Sequence, residues 1–230
     1  TCALPIFFLS SNRFDDGWKA FEYRNSQSER TWKTLKTGNP RWAPNNRLSR
    51  LFIWSEQGIG DDFFFSQWLG AAPLLAREVT VGVDSRLVPI LQRSFNEIQF
   101  VDKNSGITDI DFDTHLPIGS LPKSFIDCNL NWSKIRKIPY LRTNNAHEGL
   151  LPFSSINNQD VICGITWKSE RPDLGAEKSL DLLDLLPIFR LKNVKFVNLQ
   201  YGDTEGDVRR LRGALGFEDR KSTRLNSSHA

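Results

Sequence analysis

The chain of 230 residues contains no methionine, three histidines and three cysteines. No apolar run approaches the roughly 18 residues needed to cross a bilayer. Each shortage removes a class of function. Cys2, Cys128 and Cys163 have no metal-ligand spacing and leave an odd thiol, which excludes a disulfide scaffold and favours a reducing compartment. His115, His147 and His229 share no ligand spacing, so neither a metal site nor a metal hydrolase is expected. G-x-S-x-G, Walker and paired-cysteine motifs are missing as well. Charge of one sign is also lacking: 30 basic residues stand against 27 acidic ones, a net +3 too small to argue for a nucleic-acid partner. Three of those basic residues and one acidic residue lie in the last twelve positions. Thr1 to Ser11 has no basic n-region or small-residue cleavage site, so a cytoplasmic location is expected. Without methionine even at position 1, the expectation is a fragment whose true start lies upstream.

What is present is ordinary for a globular protein with a sizeable core: 39% hydrophobic and 25% charged residues. Asn12 to Arg24 places Phe14, Trp18 and Phe21 at helical spacing, with Asp15 and Asp16 early, which predicts an amphipathic helix. A Pro- and Asn-rich stretch follows. Leu51 to Trp54 then reads as a buried parallel strand, followed by a glycine turn and a helical segment over Asp62 to Ala76. Val79 to Val83 predicts a strand, Ser85 to Phe95 a helix, and Ile98 to Val101 and Asp109 to Leu116 two further strands. Residues 117–158 read as a linker carrying a short helix or two. A second series follows, with strands over Val161 to Trp167 and Val194 to Gln200 and helices over Ser179 to Phe189 and Asp203 to Leu215. Strands alternating with helices imply βαβ units, parallel sheets and an α/β fold.

Two loops carry candidate chemistry. Gly58-Ile59-Gly60-Asp61 joins a strand to a helix, either as a plain turn with Asp61 as N-cap or as a carboxylate held at the sheet's ligand-binding edge. Phe63 occupies the third glycine position of a dinucleotide fingerprint, and Val83-Asp84 is the nearest approach to an acidic ribose partner, which argues against a nicotinamide oxidoreductase. Lys168-Ser169 and Lys178-Ser179 bracket a polar loop whose cations and hydroxyls suit a pyrophosphate, though solvated loop lysines would look the same. Gln200-Tyr201-Gly202 leaves the next strand on the same side.

Taken together, these segments resemble the glycosyltransferase region of bacterial tetratricopeptide-repeat proteins, a GT-B-type assembly related to heptosyltransferases and O-linked GlcNAc transferases. Gly17, Trp18, Phe21, Glu22 and Arg24 resemble the G-W-x-x-[YF]-E-x-R end of the last repeat, and Pro40-Arg41-Trp42 the P-x-W connector. LFIWSEQGIGD, residues 51–61, is the most specific match. IPYL (138–141), GITWKS (164–169), Lys178-Ser179-Leu180 and FVNLQYG (196–202) complete it.

The resemblance implies a division into a repeat end (1–30), a connector (31–48), an acceptor-side Rossmann-like domain (49–120), a linker with short helices (121–158) and a truncated nucleotide-sugar domain (159–218). It implies that Asp61 is the base on the acceptor hydroxyl, in a loop formed with Glu56, Gln57, Gly58 and Gly60. Lys168, Ser169, Lys178 and Ser179 would hold the donor diphosphate, and Gln200 and Tyr201 would line the nucleotide. No cofactor is implied beyond the nucleotide-diphospho-sugar co-substrate. A glycan or protein would be the acceptor, and upstream repeats could dock a protein partner.

Departures are visible. Asp62-Phe63-Phe64-Phe65 replaces a usual Thr-Ile-Gln-Phe, Leu69-Gly70 replaces Leu-Pro, and the later nucleotide-contacting strands would lie past residue 218, so the chain as it stands is expected to be inactive. The rival reading is a non-catalytic, repeat-linked protein-interaction or nucleotide-binding module. Residues 219–230 (DRKSTRLNSSHA) resemble the translation of a sequencing adapter, and an artefactual disordered tail is expected there.

Overall fold

The computed structural model describes residues 3–26, 35–105, 110–131, 139–144, 159–169, 175–216 and 225–227. The chain divides into two compact units, Thr1–Thr143 and Asn144–Ala230.

The first unit opens with helices α1 (Ala3–Ser10) and α2 (Phe14–Phe21), followed by a 3-10 turn over Glu22–Ser26. Asn12 turns the chain between the helices at φ 59°, a left-handed conformation that asparagine tolerates. The helices approach so closely that a Cβ on Gly17 would lie 2.7 Å from the Leu9 side chain. Only glycine fits there. Trp18 and Ala20 turn inward, and the acids Asp15 and Asp16 sit in the first turn, where the helix dipole favours them.

The four-stranded sheet has the order β3-β2-β1-β4, with every pair parallel. It is built from β1 (Arg50–Trp54), β2 (Glu78–Val83), β3 (Gln99–Asp102) and β4 (Thr114–Pro117). β1 is central and covered on both faces, which is why Leu51, Phe52, Ile53 and Trp54 read as an unbroken apolar run. Each of these burials contributes about 1.5–3 kcal/mol. The connector is part of the sheet's margin: Arg41 bridges to His115 in parallel, and the buried Trp42 donates its indole N–H to the Leu75 carbonyl.

Two expectations are corrected in this unit. The apolar stretch after the glycine turn is not one helix from Asp62. It is α3 (Ile59–Phe65), continued by a 3-10 segment over Ser66–Leu74 that accommodates Pro73, whose nitrogen cannot donate. The next helix, α4 (Val88–Ser94), starts three residues after Ser85, with Pro89 in its first turn. The segment expected to be a linker with short helices opens with one, α5 (Leu121–Asp127), which buries Leu121 and Phe125 completely in the core shared with Ile53, Leu69 and Leu91. Residues 132–138 and 145–158 of the expected linker lie outside the described residues.

The second unit holds a parallel sheet of order β5-β6-β7, from β5 (Val161–Ile165), β6 (Val194–Asn198) and β7 (Leu225–Ser227). A single helix over Ser179 to Phe189 is replaced by a 3-10 turn, Leu182–Leu185, and the short α6 (Leu186–Phe189). Asp181 caps the turn by accepting from the Leu183 N–H, and Pro187 restarts the chain at the head of α6. α7 (Glu205–Ala214) buries Leu211 against Trp167, Leu182, Phe189 and Phe196. β7 falls inside the stretch expected to be a disordered tail; those three residues instead add a strand beside β6. Both units are thus α/β with parallel sheets, as the alternation predicts.

Candidate functional site

Open parallel sheets bind ligands at the carboxyl ends of their strands, where strand order reverses. In the first unit that point lies between β1 and β4. The loop leaving β1 is Ser55-Glu56-Gln57-Gly58, and Gly58 is the N-cap of α3 in an extended conformation (φ −80°, ψ 171°). Asp61 is therefore not the cap, as the plain-turn reading had it. It is the third residue of the helix, and its amide and that of Asp62 both donate to the Gly58 carbonyl at 3.1 Å.

The two adjacent carboxylates have opposite fates. Asp62 is fully buried: Oδ2 accepts from Lys103 Nζ at 3.1 Å and from the Asp84 N–H at 3.3 Å, while Oδ1 is buried with no hydrogen-bond partner among the described residues. Lys103 Nζ also donates to Ser55 Oγ at 3.0 Å and to the Gln57 carbonyl at 3.3 Å, which pins the loop to the end of β3. Asp61 is half-buried, and its carboxylate makes no hydrogen bond among the described residues. A Cβ on Gly58 would sit 3.7 Å from its Oδ2. Gly58 and Gly60 are exposed, and so are the neighbouring rings of Phe63 and Phe64. Of the two acids, Asp61 alone is open to a reactant.

Glu56 is not open. It is 5% exposed and paired with Arg24, which donates from Nε to Oε1 at 2.9 Å and from Nη2 to Oε2 at 3.3 Å. The same guanidinium reaches Ser120 Oγ at 2.8 Å, Glu22 Oε1 at 2.8 Å and the Phe21 carbonyl at 3.1 Å, and lies 4.3 Å above the Phe21 ring. Arg41 closes the cluster with bonds to Glu22 Oε2 at 2.7 Å and to Ser120 Oγ at 2.8 Å. A Cβ on Gly119 would come within 2.4 Å of Glu56 Oε1, so any larger residue there must displace the ion pair. One strand away, Trp54 Nε1 donates to His115 Nδ1 at 3.1 Å. Burial first, and Arg41 second, pull the His115 pKa below its ordinary value, so the ring is held neutral with Nδ1 as acceptor.

In the second unit, Gln200 sits just after β6 and bonds back to the chain. Its side chain is buried, and Oε1 accepts from the backbone N–H of Trp167 at 3.0 Å and of Lys168 at 2.9 Å. Lys168 ion-pairs with Asp207, which also accepts from Trp167 Nε1 at 3.0 Å and from Arg210 at 2.9 Å. The Lys168 ammonium, helped by Trp167 and Arg210, holds the Asp207 carboxyl down at about 2. Ser169 and Ser179 are brought together: the Ser179 hydroxyl accepts from the Ser169 N–H at 3.0 Å and donates to the Gly175 carbonyl at 2.6 Å. Lys178 and Tyr201 are exposed. The loop is therefore built around its own hydrogen bonds, with Lys178 as its outward cation; residues 170–174 lie outside the described residues.

No protein-family profile matches the chain. Protein FlbA of Caulobacter vibrioides is 25% identical over 242 aligned residues, which cover 94% of this chain and 39% of FlbA. Among solved structures, the dodecameric iron-containing heptosyltransferase TibC in complex with ADP-D-β-D-heptose aligns with a TM-score of 0.42 at 8% identity, over 70% of this chain and 45% of that one. TibC from enterotoxigenic E. coli aligns with the same score at 9% identity. The chain thus spans less than half the length of the proteins it matches.

Several residues at these sites escape a reading of the sequence: Lys103, Asp62, Ser120 and Asp207. Lys103 directly follows the strand ending at Asp102, so its position at a strand's carboxyl end was the available signal. Two open grooves among the described residues of the first unit do not include Asp61. One, of about 600 Å³, runs past Arg13, Asp15 and Leu130, and the other, of about 310 Å³, past Gln67, Phe95 and Tyr140. Among the described residues no cluster of three His, Cys, Asp or Glu side chains could hold a metal, and no helix is long and apolar enough to cross a membrane.

Proposed function

We propose that this chain is part of a cytoplasmic GT-B-type glycosyltransferase that moves a sugar from a nucleotide-diphospho-sugar to an acceptor hydroxyl, with the helices of residues 1–30 ending a tetratricopeptide array. The observation that carries the reading is the split between two neighbouring acids at the end of β1. Asp62 is spent on Lys103, and Asp61 stands half-exposed in the loop whose sequence carries the family resemblance. In this reading Asp61 takes the proton from the acceptor hydroxyl as its oxygen bonds to the anomeric carbon, and the bond to the nucleotide diphosphate breaks with its electron pair leaving on the phosphate. Lys178, Ser169 and Ser179 are the residues that, by the resemblance, would hold the donor diphosphate. No metal takes part in this scheme.

The test is made in a longer protein that supplies the remaining nucleotide-side strands. Asp61→Asn is expected to abolish sugar transfer and leave nucleotide-diphosphate affinity unchanged. Full turnover by the variant would remove Asp61 from the mechanism, and no release of nucleotide from any donor would remove the reading itself. A second reading, a non-catalytic binding module, draws on one observation: Lys168 and Gln200 are committed to protein partners. Nucleotide binding without release of nucleotide from a donor sugar would favour it.

A further inference from the structure

The crevice between β1 and β4, where an open sheet ordinarily admits ligand, is filled from outside the sheet. The group that fills it is the guanidinium of Arg24, in the 3-10 turn that follows α2, with its side chain 7% exposed and that of Glu56 4% exposed. We infer that Arg24 is a positioning residue for the loop that carries Asp61, acting through Glu56; this rests on the reading of Asp61 given above. Glu56 stands two residues before the N-cap Gly58 and five before Asp61. Holding both of its carboxylate oxygens leaves the loop few ways to approach α3. A fork of two parallel N–H bonds fixes direction as well as distance, which a lysine cannot do.

Two further contacts make the helical segment the frame for this loop. Ser120, in the turn after β4, receives both Arg24 and Arg41, so the loops leaving β1 and β4 are tied through one cation. The helix bearing Asp61 is also gripped on its buried face: Phe65 packs 5.9 Å from the Phe21 ring and 6.3 Å from Trp18, and Trp18 lies edge-on to Trp68 at 5.3 Å. The helix start is held by the ion pair and its body by α2 aromatics. Any shift of the α2 segment is therefore carried to Asp61, whose carboxylate has no hydrogen-bonded anchor among the described residues.

The test uses the chain of 230 residues and needs no turnover, so it stands or falls separately from the transferase reading. Hydrogen exchange is followed at the amides of residues 57–62 and at β2 in wild type, R24A, R24K and E56Q. Leu91→Ala, a core change on α4, serves as a destabilised control. R24A, R24K and E56Q are expected to speed exchange at 57–62 roughly tenfold or more while β2 keeps its protection, and L91A to leave 57–62 near wild type even where its thermal midpoint falls further. The carboxyl 13C chemical shift of Asp61 at a single pH is expected to move in R24A and R24K and to stay put in L91A. Should R24A fail to fold, R24K and E56Q carry the decision. Unchanged exchange at 57–62 in the folded Arg24 variants, or an equal rise in L91A, would overturn the inference.

Discussion

Breaking the Arg24–Glu56 pair offers the sharpest check on the energetics. The perturbation is Glu56→Ala, which leaves a guanidinium at 7% exposure without its bidentate acceptor. Removing one partner of a buried ion pair costs about 3–5 kcal/mol, because the surviving charge is left desolvated. Arg24 retains Glu22, Ser120 and the Phe21 carbonyl, so the lower end, about 3 kcal/mol, is expected here. For a unit of this size that corresponds to a fall in thermal midpoint of about 10 °C. Arg24→Ala should cost at least as much, since it strands Glu56 and deprives Glu22 of one of its two arginines. The double variant leaves no orphaned charge at the pair and should be less destabilised than the two singles together by about 2 kcal/mol. Urea unfolding followed by tryptophan fluorescence is the assay, since six of the seven tryptophans lie in the first unit. A loss below about 1 kcal/mol for Glu56→Ala, or strict additivity in the cycle, would show that the pair is solvated and refute the reasoning.

Three further outcomes are expected. Gly119→Ala drives a methyl into Glu56 Oε1 and Arg24 Nη2, and should destabilise the first unit by about 1–3 kcal/mol in the same urea assay; a neutral result would mean the cluster yields easily. Gln200→Ala strips the acceptor from two backbone N–H groups and should lower the stability of the second unit by about 2 kcal/mol, read from Trp167 fluorescence in a chain whose other tryptophans are replaced by phenylalanine, with the Gln200 codon as the sole difference between samples. The pH dependence follows from His115. Its pKa lies below the ordinary 6.5, so below that pH the folded state binds fewer protons than the unfolded chain, and stability rises with pH through this window and falls on acidification. His115→Asn should flatten that slope between about pH 7 and about pH 5 in urea midpoints, and identical slopes would refute the assignment.

The elements that sequence reasoning located well are those whose burial is written into a short window. β1 is apolar on both faces and announces itself. β2 and β6 do so for the same reason, and α7 shows its apolar stripe without interruption. Misplaced boundaries cluster at prolines and glycines. Pro73, Pro89 and Pro187 each sit in the first turn of a helix or within a 3-10 segment, and periodicity alone cannot tell a proline that ends a helix from one that begins it. α5 lies in the segment read as a linker with short helices, and the Pro, Ser and Asn around it do not announce that Leu121 and Phe125 join the core.

The sequence alone determined the class of this protein: parallel α/β sheets, and a glycine turn after the first strand that ends in a pair of acids. All of these depend on neighbours within a few positions. Tertiary structure alone decided which acid is available and what the basic residues do. Residue type and position do not tell which of Asp61 and Asp62 is buried; Asp62 meets Lys103 from 41 residues away, and Asp61 stays half-exposed. Arg24 finds Glu56 at a separation of 32 and Ser120 at 96, and Gln200 turns back on Trp167 across 33 residues. Such pairings are set by how strands stack and where their loops converge, and buried charges must satisfy one another once that stacking excludes water.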